Sequence, residues 1–250
     1  MAKPLIAGNW KMYGNAASAN SLASQLARHW DAQSSAEMIV FPPAVHLATV
    51  ALALSENGNI AIGAQNLSQH DAGAYTGEIS AAMLTDLGCG YVLVGHSERR
   101  TVFTESNGTV AEKFKAAQAA GLTPILCVGE TLQQRQQVRT MEVVAEQIAA
   151  VVEQSGLNNV CRAVIAYEPV WAIGTGETAS PEQAQQVHSA IRAQLGEAGL
   201  DTTLLYGGSV KAENAIELFS QPDINGGLVG GASLEANEFL NIAQQLTEQE

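Results

Sequence analysis

Eight short apolar runs, each followed by a polar or glycine-containing break and then by a stretch of helical periodicity, limit what this chain can fold into. They begin near Leu5 (PLIAGNW), Met38 (MIVFPP), Ile60 (IAIGAQN), Tyr91 (YVLVGH), Pro124 (PILCVGE), Ala163 (AVIAYEP), Thr203 (TLLYGGS) and Gly227 (GLVGGAS). The runs are continuous rather than alternating, as in parallel strands buried on both faces. Successive runs start 22 to 40 residues apart, which leaves room for a crossover helix each time. The intervening segments 16–30, 44–57, 80–88, 106–120, 132–155, 181–198, 212–220 and 235–247 read as helices. In 106–120, Val110, Phe114, Ala117 and Gly121 share one helical stripe, with Lys113 and Lys115 off it. Gly121 then stops the helix, and Pro181 behind Ser180 starts another.

Eight βα units permit a closed barrel or an open doubly wound sheet. No first strand ends in a dinucleotide-binding glycine fingerprint, and eight units close without leaving edges. The expectation is an α/β fold, a single-domain (β/α)8 barrel over 1–250 with eight parallel strands and outer helices. A chain of 250 residues with 46% hydrophobic residues has material for such a core.

Charge excludes some functions. A formal net charge of −13 without a basic patch argues against nucleic acid. No run approaches the roughly 20 apolar residues of a transmembrane helix, and the apolar run before Asn9 is too short for a signal peptide. Three cysteines without paired spacing suit a reducing, cytoplasmic setting. An anionic substrate would need local donors, because exposed charges are screened beyond roughly 8 Å at physiological salt.

A barrel collects its active-site residues at the C-terminal ends of its strands. Those ends carry Asn9 and Lys11, Gln65 and Asn66, His96, Gly129 and Glu130, Glu168, Gly207 to Ser209, and Gly230 to Gly231. Glu168 places a carboxylate at the mouth, where Trp171 and Ile173 could raise it toward neutrality; from position alone it could also be a solvated or capping residue. His96 precedes SERR, so its ring falls at the positive end of a helical turn that disfavours imidazolium, unless it is an ordinary core or surface histidine. Lys11 is the lysine beside a strand end, hence the local cation, or else a surface stem. The Gly-Gly pairs of YGGSV and LVGGAS end strands seven and eight, where barrels commonly bind phosphate; each alone could be a tight turn. Residues 169–176, with an apolar first half and then Gly174 and Gly176, suit a lid or a merely long loop.

Seven motifs, GNWKM (8–12), GAYTGEIS (73–80), VGHSERR (94–100), PILCVGE (124–130), AYEPVWAIGTG (166–176), YGGSV (206–210) and LVGGASL (228–234), resemble the triosephosphate isomerase family in order and over essentially the whole chain. That family is itself a standard illustration of a neutral histidine electrophile and of a closing loop. The resemblance implies reversible isomerisation of dihydroxyacetone phosphate and D-glyceraldehyde 3-phosphate through an enediolate, in glycolysis and gluconeogenesis. It makes Glu168 the base, His96 the neutral electrophile and proton shuttle, and Lys11, Asn9 and Glu98 their electrostatic neighbours. It makes Gly174, Ser209, Gly230 and Gly231 the phosphate grip. It makes Pro169, Val170, Trp171, Ala172, Ile173, Gly174, Thr175 and Gly176 the lid. It implies no cofactor and no metal. It also implies a homodimer through loop 66–80, with Thr76 reaching the partner's site. Tyr13 and Asn225 depart from the family pattern outside the acid-base set. Cys127, in an apolar run, reads as buried structure. Another phosphate-binding barrel and a catalytically idle one remain as alternatives, the second opposed by intact Lys11, His96 and Glu168.

Overall fold

The computed structural model describes residues 2–31, 33–55, 59–173 and 177–247. Eight parallel strands form a closed barrel in chain order: β1 (Leu5–Asn9), β2 (Glu37–Phe41), β3 (Ile60–Ala64), β4 (Tyr91–Val94), β5 (Thr123–Val128), β6 (Val164–Tyr167), β7 (Leu204–Tyr206) and β8 (Gly226–Val229). The barrel closes where β8 pairs with β1, Leu5 opposite Gly226 and Gly8 opposite Val229. That closure requires a glycine at 226. Its φ is +143°, and a Cβ there would sit 1.9 Å from the Leu5 carbonyl oxygen.

The unbroken apolar runs have a direct cause. On β1, Leu5 and Ala7 face the barrel interior with Ile39, Phe41, Leu93, Ile125 and Leu228, while Ile6 faces the outer layer. Both faces of each strand are therefore dry, and no polar alternation is possible. The outer layer is filled from the helices α1 (Ala16–His29), α2 (Leu47–Leu54), α3 (Ala81–Asp86), α4 (Ser97–Val102), α5 (Asn107–Ala119), α6 (Leu132–Gln136), α7 (Thr140–Ser155), α8 (Leu157–Cys161), α9 (Pro181–Leu195), α10 (Ala212–Phe219) and α11 (Ala236–Thr247). Val110, Phe114 and Ala117 of α5 are fully buried, as their spacing predicts.

The helical reading omits the short helices α4 and α8, and it needs three further corrections. Segment 132–155 is two helices. Val138 between them adopts φ +59°, a left-handed conformation costly for a β-branched residue, and no glycine or proline advertises the break. Segment 44–57 starts with a 3-10 turn over Ala44–His46 before α2, and residues 56–58 lie outside the described residues. Lys113, expected off the apolar stripe, is buried. Its Nζ donates to Glu105 Oε1 at 2.6 Å and to Asn66 Oδ1 at 2.8 Å, which replaces the hydration it loses. Asn225 ties the ends of two strands together, since its Oδ1 accepts from the Leu204 N–H at 2.9 Å and from Arg192 at 3.1 Å.

Candidate active site

The strand ends of β1, β4, β6, β7 and β8 surround a cavity of about 240 Å3 whose lining includes Asn9, Lys11, His96, Glu168, Ser209, Gly230 and Gly231. Residues from the two ends of the chain, Asn9 and Gly231, thus share one small space.

Glu168 follows β6 and is 2% exposed. Its Oε1 lies 2.9 Å from His96 Nε2, and its Oε2 accepts from the Ser97 N–H at 2.9 Å. Gly129 makes room for it, since a Cβ at 129 would fall 1.8 Å from the Glu168 carbonyl oxygen. The Glu168 N–H donates to Val128 O at 2.7 Å, which fixes the carboxylate's root to β5.

His96 caps α4. Its Nδ1 accepts from the Glu98 N–H at 3.2 Å, so that nitrogen carries a lone pair, and the ring proton of the neutral tautomer is on Nε2. Nε2 also lies 3.3 Å from Asn9 Nδ2. Burial is the strongest single influence and pulls the imidazolium pKa down, but the adjoining Glu168 carboxylate, with a smaller push from Glu98, outweighs it and the balance is upward. The upward pull depends on Glu168 staying where it is. With the carboxylate turned elsewhere, burial, Lys11 and the α4 amide favour the neutral ring, opposed only by the weaker influence of Glu98.

Lys11 is held by its backbone as well as its charge. It adopts φ +51°, with its N–H donating to Asn9 Oδ1 at 3.0 Å and its carbonyl accepting from Gln65 Nε2 at 2.8 Å. A left-handed non-glycine residue costs about 1–3 kcal/mol and persists where its surroundings dictate it, which is common at functional sites. The Lys11 ammonium meets Glu98 Oε1 at 2.6 Å.

The residues after β6 split between two environments. Ile173 lines the cavity, whereas Trp171 points away and donates its indole N–H to Glu130 Oε1 at 3.0 Å. Glu130 is fully buried, and the Tyr167 hydroxyl at 3.1 Å and Arg135 at 3.2 Å also donate to it. Arg135 stacks over the Trp171 ring at 4.4 Å. Val170 and Ala172 belong to the 3-10 turn that begins after Pro169, with Ala172 buried. Gly174, Thr175 and Gly176, expected in the phosphate grip and the lid, lie outside the described residues. After β8, Gly230 leads into a 3-10 turn, Gly231–Leu234, and its carbonyl accepts from Ser233 Oγ at 2.7 Å.

Two features escaped the sequence reading. Glu130 stands at a strand end, but nothing in its spacing reveals that three side chains converge on it. Lys211 lines the cavity although it stands five residues beyond β7, outside any search restricted to strand ends. Thr76 is exposed on loop 66–80, away from this cavity. That loop is closed at its base by the Ser68 N–H donating to Ile79 O at 2.8 Å and stiffened by His70 stacked on Tyr75 at 4.0 Å. Burial pushes the Cys127 thiol pKa well up, which fits a structural residue. No described helix is long and apolar enough to cross a membrane.

The sequence model of one family, triosephosphate isomerase, matches residues 4–246. Among curated relatives, the triosephosphate isomerase of Nitrosococcus oceani is 53% identical, with 98% of this chain and 99% of the relative covered. That of Shewanella denitrificans is 51% identical, with 97% and 96% covered.

Proposed function

The chain belongs to the triosephosphate isomerase family and is an isomerase that interconverts dihydroxyacetone phosphate and D-glyceraldehyde 3-phosphate, and on that premise we propose a role for each residue of the cavity. The observation that carries the proposal is the Glu168–His96 contact at 2.9 Å inside the mouth of the barrel.

Glu168 takes the carbon-bound proton next to the substrate carbonyl, giving an enediolate, and returns it to the neighbouring carbon. His96 Nε2–H donates to the carbonyl oxygen as negative charge develops there and then moves protons between the two oxygens. For this, Glu168 leaves the Ser97 amide and the imidazole for the substrate carbon. The same movement removes the main influence that favours imidazolium, so the step that needs a neutral donor also favours it. Asn9 and Lys11 supply further donors, and Glu98 sets the position of the Lys11 ammonium. A positioned base contributes roughly 10²–10⁴-fold and one oxyanion donor about 2.7–4 kcal/mol, so neither suffices alone for a weak carbon acid.

Ser209, Gly230 and Gly231, with Gly174, hold the phosphate. Its binding energy, remote from the reacting carbons, drives the segment from Pro169 to Gly176 over the substrate and excludes water. An enediolate left open to solvent would expel phosphate instead.

The active form is a homodimer through loop 66–80, with Thr76 entering the partner's second cavity. Support comes from the exposed apolar side chains Met12 and Phe103, which with Gly77, Glu78 and Ile79 of that loop line a cavity of about 310 Å3, and from the exposed Tyr75 on the loop itself. A cytoplasmic location is supported by the free thiols of Cys89, Cys127 and Cys161. No cofactor or metal is required by this chemistry. The test is turnover of glyceraldehyde 3-phosphate as sole substrate, without metal or nucleotide.

A further inference from the structure

Two cations line the cavity, Lys11 and Lys211. They are not equivalent. Lys11 is already committed to Glu98 at 2.6 Å, so part of its charge is compensated before any ligand arrives. Lys211 is exposed and makes no ion pair among the described residues. It stands at the N-cap of α10, but that helix end offers an anion little else. The Lys211 N–H donates to Asn214 Oδ1 at 2.8 Å and the Ala212 N–H to Glu238 Oε1 at 3.0 Å. What Lys211 has left to offer an anion is its exposed side chain.

At low ionic strength the rest of the molecule favours having such a charge at the entrance. With a net charge of −13, the protein repels a phosphate dianion at long range. A single uncompensated cation at the entrance counts most where that repulsion must be overcome. Ser209 and Gly230 line the same cavity as Lys211, so the residue that carries this charge stands at the edge of the place given to the phosphate.

We propose that Lys211 is a substrate-binding residue that captures the phosphate dianion at the cavity rim, offsetting the repulsion of an acidic protein, while Lys11 is reserved for the reacting end. The proposal rests on the isomerase reading above and adds to it the means by which the substrate enters.

Electrostatic capture weakens with salt, because the screening length falls from about 30 Å at 0.01 M to under 8 Å above 0.15 M ionic strength. The experiment measures kcat and KM for glyceraldehyde 3-phosphate with the wild type, Lys211→Gln and Lys211→Arg at about 0.01 M and about 0.3 M ionic strength. Lys211→Gln is expected to lose roughly threefold to tenfold in kcat/KM at low salt, chiefly through KM, with the deficit shrinking toward unity at high salt. Lys211→Arg is expected to restore it. An undiminished kcat/KM in Lys211→Gln at low salt overturns the proposal, as does a loss that is the same at both ionic strengths or is not rescued by arginine. An inactive wild type would instead refute the isomerase reading.

Discussion

Glu168 and His96 are joined across the barrel mouth, Oε1 to Nε2 at 2.9 Å, although the strands that carry them, β6 and β4, are separated by β5. The Ser97 N–H holds the other carboxylate oxygen at 2.9 Å. The proposed base and electrophile are thus in direct contact, and in the proposed reaction the substrate separates them. Keeping a carboxylate and an imidazole in contact also keeps a buried carboxylate from standing unpaired.

His96→Gln retains an amide donor to the carbonyl but has no ring to pass protons between the substrate oxygens. Its kcat is expected to fall on the order of 10²-fold or more, with KM changed much less. Steady-state kinetics at neutral pH would check this, and a kcat within about threefold of wild type would remove His96 from the shuttle role.

Glu105 lies between Lys113 and Arg99, whose Nζ and Nε both reach its Oε1 at 2.6 Å. Its burial raises the carboxyl pKa, but the two cations outweigh that and hold it below the ordinary value of 4.5. Lys113 shifts downward from its own ordinary value because burial dominates there and it shares its one carboxylate with Arg99. A carboxyl pKa lowered by folding stabilises the native state above the unfolded value, and that contribution disappears as pH falls through the folded one. Glu105→Gln should therefore cost about 3 kcal/mol at pH 7, where it strands a buried ammonium. The gap to wild type should narrow below about pH 4.5. Urea unfolding at pH 7 and at progressively lower pH measures both; a gap independent of pH would contradict the charge argument.

Much of the barrel is visible in the sequence because parallel strands buried on both faces admit only apolar runs, as Ile6 and Ala7 show by facing opposite layers. The Glu168–His96 pair is visible for a related reason: a titratable residue directly after such a run falls at the mouth, and both line the cavity there. What stays hidden depends on tertiary partners. Lys113 looks exposed until Glu105 and Asn66, distant in sequence, are placed beside it. The break at Val138, an exposed residue, carries no glycine or proline and is closed only by backbone bonds, the Arg139 N–H donating to the Gln134 carbonyl at 2.9 Å. Lys211 reaches the cavity from a loop, where no periodicity marks it. The glycine at 129 is legible only as the end of a strand, whereas a Cβ there would meet the Glu168 carbonyl oxygen.

Shortening segment 171–176 should leave the acid-base pair in place but deprive the enediolate of cover. Phosphate elimination is expected to rise relative to isomerisation, measured as inorganic phosphate released per isomerisation turnover. An unchanged ratio would contradict a covering role for this segment.

Thr76→Glu places a charge at the tip of loop 66–80. Sedimentation is expected to show wild type near twice 26.2 kDa and the variant shifted toward the single-chain mass, with activity falling in parallel. A wild type that sediments as a single chain at micromolar concentration would contradict the dimer.

The most direct test of the acid-base mechanism is kcat for glyceraldehyde 3-phosphate with wild type and Glu168→Gln side by side, together with binding of a phosphate-bearing substrate analogue to each. The amide keeps the size of the carboxylate and cannot accept the carbon-bound proton. If Glu168 is the base, the wild type turns over efficiently, kcat is lower by roughly 10²–10⁴-fold in the variant, and analogue binding is largely preserved. Comparable turnover by the two proteins would contradict it.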